Sequence, residues 1–430
     1  MLLAYKGYQS RSGDDSGLEV FNTCSWERSG YAYISEEDVG SGKILLNDNK
    51  KKVELIPAGN QKYRFFVKDV PAFGSVVYKF VDGKRDKNDG PGKLDDRFVT
   101  KDFTLVFDKR CGSIEELYWK GHRGNLVDDK SKFGLNQFLF VDGRDPEKPQ
   151  RASVMAIFQT APNRVRIEMY APGCSSLITE IEVLDDVAAL SITNTIVKNK
   201  NYDPEAIRFA FPFGIIGGQL RYDLAFAQCI PEKHQLPGGN RNYLTIENFV
   251  DISNDDFGIT WSSPDAPLVE VGKMMNDPIA YGYVNELDQS NTFFSYVMNN
   301  YWETNYLAAQ EGEVAFRYVI NFHDEYNPAE AEKAGIGART SFVTVPVDAG
   351  KKAADPPFQI DNENIISFAV KQAGGGNVIS LYNCSGQNQE LKLKKLGEKV
   401  YLTNIDGLGR RSVEGSITFP GYGIRHLLVK

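Results

Sequence analysis

In Arg164-Val165-Arg166-Ile167-Glu168-Met169-Tyr170 charged and apolar residues alternate, the period-2 pattern of a strand with one wet face and one buried face. Phe316-Arg317-Tyr318-Val319-Ile320-Asn321-Phe322 has the same character, with aromatics at both ends. Residues 75–81, 104–108, 190–197 and 390–396 are further predicted strands, punctuated by Gly, Pro, Asn and Asp. The helical period is scarce. Its one clear instance is Asn327-Pro328-Ala329-Glu330-Ala331-Glu332-Lys333-Ala334-Gly335, where Asn caps, Pro takes the first helical position, acids fill the first turn and Gly is expected to stop the helix. One short helix cannot build an α/β barrel. Parallel sheets need helical crossovers, so the pattern predicts an all-β chain of antiparallel sandwiches.

Two stretches have little to bury and read as boundaries, residues 82–96 and 346–357. They divide the chain into an N-terminal segment 1–17, a small β-sandwich 18–95, a large central unit 96–346 and a small β-sandwich 347–430. A chain of 430 residues exceeds one ordinary core, and 42% hydrophobic with 25% charged residues excludes wholesale disorder. The 49 basic and 57 acidic residues leave a net charge of −8, and the longest basic run is Lys50-Lys51-Lys52. Nucleic acid and anionic membranes are therefore excluded as expected partners. No apolar stretch reaches the ~18–20 residues of a membrane span, and Met1-Leu2-Leu3-Ala4-Tyr5-Lys6 has no signal-peptide core. The compartment is left open. Cys24, Cys111, Cys174, Cys229 and Cys384 form no CxxC pair and are odd in number, so free thiols are expected rather than a disulfide framework or a zinc site.

Motifs for chemistry are mostly missing. The four histidines, His122, His234, His323 and His426, are far apart in sequence, and His323-Asp324-Glu325 reads first as a turn at a strand end. Gly40-Ser41-Gly42-Lys43 lacks the first glycine of a P-loop, Gly374-Gly375-Gly376 fits a hairpin, and there is no GxSxG elbow. An aldose epimerase would need His with Glu in one pocket; His122, His234 and Glu270 are available, though no spacing selects them. One segment stands out. Asn299, Asn300, Trp302, Asn305 and Tyr306, with Tyr301 among them, offer amides for hydroxyls and flat faces for sugar C–H surfaces. The same residues also suit a packed loop whose amides satisfy backbone groups.

At this point the chain resembles the C-terminal β region of glycoside hydrolase family 38, the α-mannosidases. Val20-Phe21-Asn22-Thr23-Cys24-Ser25-Trp26-Glu27-Arg28-Ser29-Gly30 resembles the start of that family's first β domain, and Asp69-Val70-Pro71-Ala72-Phe73-Gly74-Ser75 its closing strand. Gly112-Ser113-Ile114-Glu115-Glu116-Leu117, Phe133-Gly134-Leu135-Asn136-Gln137-Phe138-Leu139 and Arg208-Phe209-Ala210-Phe211-Pro212-Phe213 are similar to its large sandwich. Leu381-Tyr382-Asn383-Cys384-Ser385-Gly386 and Thr403-Asn404-Ile405 resemble its last one.

The resemblance implies a galactose-mutarotase-like supersandwich flanked by smaller β-sandwiches. It also implies an N-terminal catalytic barrel as the partner, carrying the zinc and the aspartate nucleophile. No His-x-Asp occurs in this sequence, so no catalytic residue and no metal ligand is assigned, and no cofactor is expected in the chain itself. In some members the strand here reading Asn136-Gln137-Phe138 lends a tyrosine to the sugar pocket; this chain offers Asn136 and Gln137 instead. The function implied is a non-catalytic β portion of a zinc-dependent retaining α-mannosidase that helps form a mannoside site. A free-standing carbohydrate-binding protein is the alternative. An apolar face left uncovered would allow an oligomer.

Overall fold

The alternating segments become strands with their registers intact. Residues 164–170 form the strand Arg164–Tyr170, and the aromatic segment lies within Gly312–His323. A computed structural model describes residues 16–84, 92–275, 282–287, 290–301, 308–348, 350–373 and 375–430. The chain divides into two compact units, one of residues 88–339 and one of residues 1–87 with 340–430.

The unit 88–339 is a supersandwich. Its ten-stranded sheet runs, edge to edge, Ala227–Cys229, Gln219–Leu224, Phe249–Ser253, Gly258–Ser262, Gly312–His323, Ala189–Lys198, Cys174–Leu184, Arg164–Tyr170, Ser153–Ala161 and Gly92–Lys93. Its six-stranded sheet runs Gln150–Arg151, Gln137–Asp142, Glu205–Pro212, Thr292–Asn299, Leu268–Val271 and Leu244–Thr245. The pairings are antiparallel, so each strand sends alternate side chains to the shared core. Phe209, Phe211 and Phe293 come from the smaller sheet, and Ile192, Trp261 and Tyr318 from the larger. The rings of Phe211 and Tyr318 meet edge to face at 4.9 Å, and Trp261 meets Phe293 in the same way at 5.0 Å. Such pairs add ~0.5–1.5 kcal/mol each beyond the apolar area they bury.

The helix Pro328–Arg339 is longer than predicted. Asn327 caps it, its Oδ1 accepting from the Ala329 and Glu330 amides at 2.9 and 3.2 Å. Gly335 does not stop it. A Cβ there would stand 2.7 Å from Asn248 Cβ and 3.1 Å from Phe249 Cδ1, so this glycine lets the helix lie close on the ten-stranded sheet.

The unit of residues 1–87 and 340–430 holds two smaller sandwiches. In the first, a sheet of Val343–Asp348, Ser16–Phe21, Ser75–Asp82, Lys43–Leu46 and Lys52–Val53 packs on one of Arg28–Ser35, Lys62–Val70 and Ile56–Pro57, around Leu18, Val20, Ala32, Phe65 and Phe80. The boundary expected at 346 thus falls inside a strand that pairs along Ser16–Phe21. Fully buried Glu19 anchors this junction, accepting from the Ser75 hydroxyl at 2.6 Å and pairing with Lys351. The last sandwich pairs Ile365–Ala373, Gly376–Asn383, Ile424–Val429, Val400–Thr403 and Arg411–Val413 in one sheet, with Gln389–Lys392 and Ser416–Phe419 opposite. Ile379, Leu391, Phe419 and Leu427 fill it. All five cysteines are free.

Candidate functional site

The segment singled out in the sequence begins where the strand Thr292–Asn299 ends. Asn299 is exposed, and its Oδ1 accepts from the Tyr301 amide at 3.4 Å. Asn300 is buried; its Nδ2 donates to the Asn201 and Asp203 carbonyls at 2.9 and 2.8 Å. It holds a turn closed. Trp302, Asn305 and Tyr306 lie outside the described residues. Asn136 and Gln137 are buried as well. Asn136 sits in the left-handed region at φ 59° and exchanges amide hydrogen bonds with Asn194 at 3.0 and 2.8 Å. Gln137 Oε1 accepts from the Gly134 amide at 2.8 Å. These two do not join the asparagines. Ala206 pairs with Asn299 while Ala210 pairs with Gln137, so the two groups mark opposite ends of the strand Glu205–Pro212, ~13 Å apart at ~3.3 Å per residue.

Between those ends, on the face turned away from the shared core, lies Arg208. Its Nε donates to Glu270 Oε2 at 2.5 Å and its Nη2 to Oε1 at 3.1 Å, with both side chains 0% exposed. Glu270 Oε1 also accepts from the Met275 amide at 2.9 Å. The Arg208 guanidinium stacks 4.0 Å over the Tyr296 ring. Burial is the largest single influence and pushes that guanidinium down, but the charge and hydrogen bonds of Glu270 together with the neighbouring phenols outweigh it, and the net shift is up. Burial drives the Tyr296 phenol well above its ordinary range and the Tyr301 phenol up to about 12. Both phenols are therefore neutral hydrogen-bonding groups at neutral pH. Tyr301 donates to the Gly143 carbonyl at 3.0 Å. Beside it, Lys198 and Glu205 form a second buried pair at 2.5 Å, and Asn201 donates to Glu205 at 2.9 Å. The result is a charge-matched platform in which both oxygens of Glu270 are held by Arg208.

A second polar network occupies the outer face of the ten-stranded sheet. Asp251, fully buried, accepts from the Ser253 hydroxyl at 2.6 Å and the Thr260 hydroxyl at 2.8 Å, and meets His323 Nε2 at 2.9 Å. Arg221 donates to Ser253 Oγ at 3.0 Å and stacks 4.1 Å over Tyr326. Burial works against the His323 imidazolium, but the hydrogen bond and charge of Asp251 raise it overall. His323 is thus tied through Nε2 to Asp251, across the intervening strand Gly258–Ser262, while its Nδ1 meets the backbone carbonyl of Asp324 at 3.0 Å and no side chain of Asp324 or Glu325. Under the helix, burial and then the charge of Asp223 push the Glu332 carboxyl up to about 8.

The three residues of an epimerase are each engaged separately. His122 stacks on Phe257 at 4.2 Å, His234 Nδ1 accepts from the Ile230 amide at 3.1 Å, and Glu270 is held by Arg208. Among the described residues no group of three His, Cys, Asp or Glu side chains could hold a metal ion, so the zinc implied by the resemblance has no ligand set among them.

The fold can be set against known structures. An α-mannosidase from Enterococcus faecalis superposes with a TM-score of 0.70 over 98% of this chain, at 13% identity. The chain shares its fold. A second protein from Enterococcus faecalis, of glycosyl hydrolase family 38, superposes with a TM-score of 0.68 over 97% of this chain, also at 13% identity. The chain spans just over half of the length of each, 57% and 58%. A galactose mutarotase-like protein from Lactobacillus casei aligns over 54% of this chain at 13% identity, with a TM-score of 0.35 that is too low for a comparison of folds. No family model and no curated protein matches the sequence. At such identity the α-mannosidase fold is what is held in common, and residue roles do not transfer.

Sequence reading missed Arg208 with Glu270, and Asp251 with His323. A signal existed for the first. Glu205–Pro212 has apolar residues on both of its faces, and a strand buried on both sides can hold an arginine only if a carboxylate meets it.

Proposed function

We propose that this chain is the β portion of a family 38-type α-mannosidase, non-catalytic by itself, which packs on a catalytic barrel and helps to shape its carbohydrate site. The observation that carries this reading is the α-mannosidase fold followed over 98% of the chain. In this reading the zinc ion and the nucleophile are contributed by the barrel. The platform of Arg208, Glu270, Tyr296 and Tyr301 supports it, as a buried charged pair beside the strand end at Asn299 and Asn300.

The test is hydrolysis of an aryl α-mannoside in the presence of zinc. The pure chain is expected to be inactive, and activity is expected when it is co-expressed with a zinc-binding barrel encoded beside it. Turnover by the pure chain overturns the reading. A genome with no such barrel, combined with millimolar or tighter calorimetric binding of mannobiose by the chain alone, favours the free-standing carbohydrate-binding protein.

A further inference from the structure

The last sandwich is open at one end. The strands Val400–Thr403, Arg411–Val413 and Ile424–Val429 of its larger sheet and Ser416–Phe419 of its smaller one part there around a cavity of about 550 Å³. That volume is within the ~300–1,000 Å³ of small-molecule sites. Its floor is apolar, made by Leu402, Val413 and Ile417 where they leave the core of the sandwich. Ser416 and Thr418 flank Ile417 along the strand that borders it.

Two arginines share this cavity. Arg411 pairs across the sheet with Leu402, and Leu402 with Leu427, which belongs to the core. Side chains alternate along a strand, so Arg425, two residues before Leu427, points to the same side as Leu427 and Leu402. Both guanidinium groups are thereby aimed at the space between the sheets. No carboxylate lines the cavity. Among the described residues Arg411 has no ion pair, and Arg425 Nη1 reaches only the carbonyl of Ile424 at 3.0 Å. His426 is bonded through Nδ1 to the Ser380 hydroxyl at 2.8 Å, and burial followed by the charge of Lys371 pushes its imidazole down, so it adds no charge at neutral pH. In a chain of net charge −8, two unneutralised arginines facing one hollow are a local reversal of sign.

We infer that this cavity is a binding site for a saccharide that carries an oxyanion, a carboxylate or a phosphate. The guanidinium forks match the oxygens of either group, while Leu402, Val413 and Ile417 receive the C–H face of a ring. The site lies in residues 402–426, apart from the platform around Arg208, and does not rest on the α-mannosidase reading.

Calorimetry on the whole chain tests it with galacturonic acid trisaccharide, glucose 6-phosphate, inorganic phosphate and maltotriose. The acidic saccharide, the sugar phosphate or both are expected to bind at millimolar or tighter affinity, weakening as salt rises. Maltotriose is expected to bind at least tenfold more weakly. Arg411→Ala with Arg425→Ala should weaken the charged probes tenfold or more, and Arg411→Lys with Arg425→Lys should recover part of the loss. Unfolding curves that coincide with the parent's identify variants that still fold. Binding of maltotriose as tight as that of the charged probes overturns the inference, as does failure of both charged saccharides to bind at 10 mM, on the order of the weakest affinities such sites show. Inorganic phosphate bound as tightly as glucose 6-phosphate overturns the saccharide assignment. Unchanged affinity in the folded double alanine variant overturns the role of the arginines.

Discussion

Arg208 and Glu270 place opposite charges where no water reaches either of them. Removing one partner leaves the other charged and buried, so Glu270→Leu is expected to cost ~3–5 kcal/mol in urea unfolding. Arg208→Met combined with Glu270→Leu should recover most of that, because the pair is dear to break and cheap to replace; a double variant no better than the single one would show that the cost comes from packing alone. Glu332 and His323 give stability a pH dependence of definite sign. For Glu332 the folded value of about 8 exceeds the ordinary 4.5, so the folded state holds the proton longer, and stability falls as pH rises from 4.5 through 8. His323 is raised above 6.5 in the folded state, so its pair with Asp251 contributes fully below 6.5 and is lost as pH rises through the folded value. Both act in the same direction. Glu332→Gln should therefore gain on the parent by up to ~4–5 kcal/mol at pH 9 and by little at pH 4.5, read from urea midpoints at each pH. Equal effects at both values would refute the buried acid.

At the scale of elements, the strands predicted from periodicity formed, while many further strands and the sites were not legible. Residues 104–108 and 190–197 appear as Phe103–Phe107 and Ala189–Lys198, since alternation is a local signal fixed by the pleat. Residues 390–396 split into the strand Gln389–Lys392 and a turn of 3₁₀ helix at Leu393–Lys395, where Leu393 and Leu396 both face the core. The helix was misjudged at its end, because a glycine that stops a helix and one that lets a helix lie close look alike in sequence. The two glycines of Pro328–Arg339 make that difference measurable. Gly335→Ala should destabilise by ~1–3 kcal/mol through contact with Asn248 and Phe249, against the ordinary helical preference for alanine. Gly337, with open space around it, should gain ~0.5–1 kcal/mol on the same change. Thermal unfolding of both variants decides it. The Arg208 platform was illegible for a different reason: it joins residues 62 positions apart, and nothing local to either records the other.

For the whole molecule, composition and order of motifs pointed to the architecture that the α-mannosidase comparison shares, because sandwich folds are written in many short, regularly punctuated strands. Chain order hid the grouping of the parts. The strand Val343–Asp348 completes the sheet begun by Ser16–Phe21, with Ser16 opposite Asp348 and Phe21 opposite Val343. A ribosome delivers these partners far apart in time. At ~5–20 residues per second, the first strand waits tens of seconds for its neighbour, with an edge of unpaired amides and carbonyls on that side. Biogenesis of this protein is thus a race between completion of the message and capture of that edge by another chain, and slowing translation ahead of residue 343 lengthens the exposure.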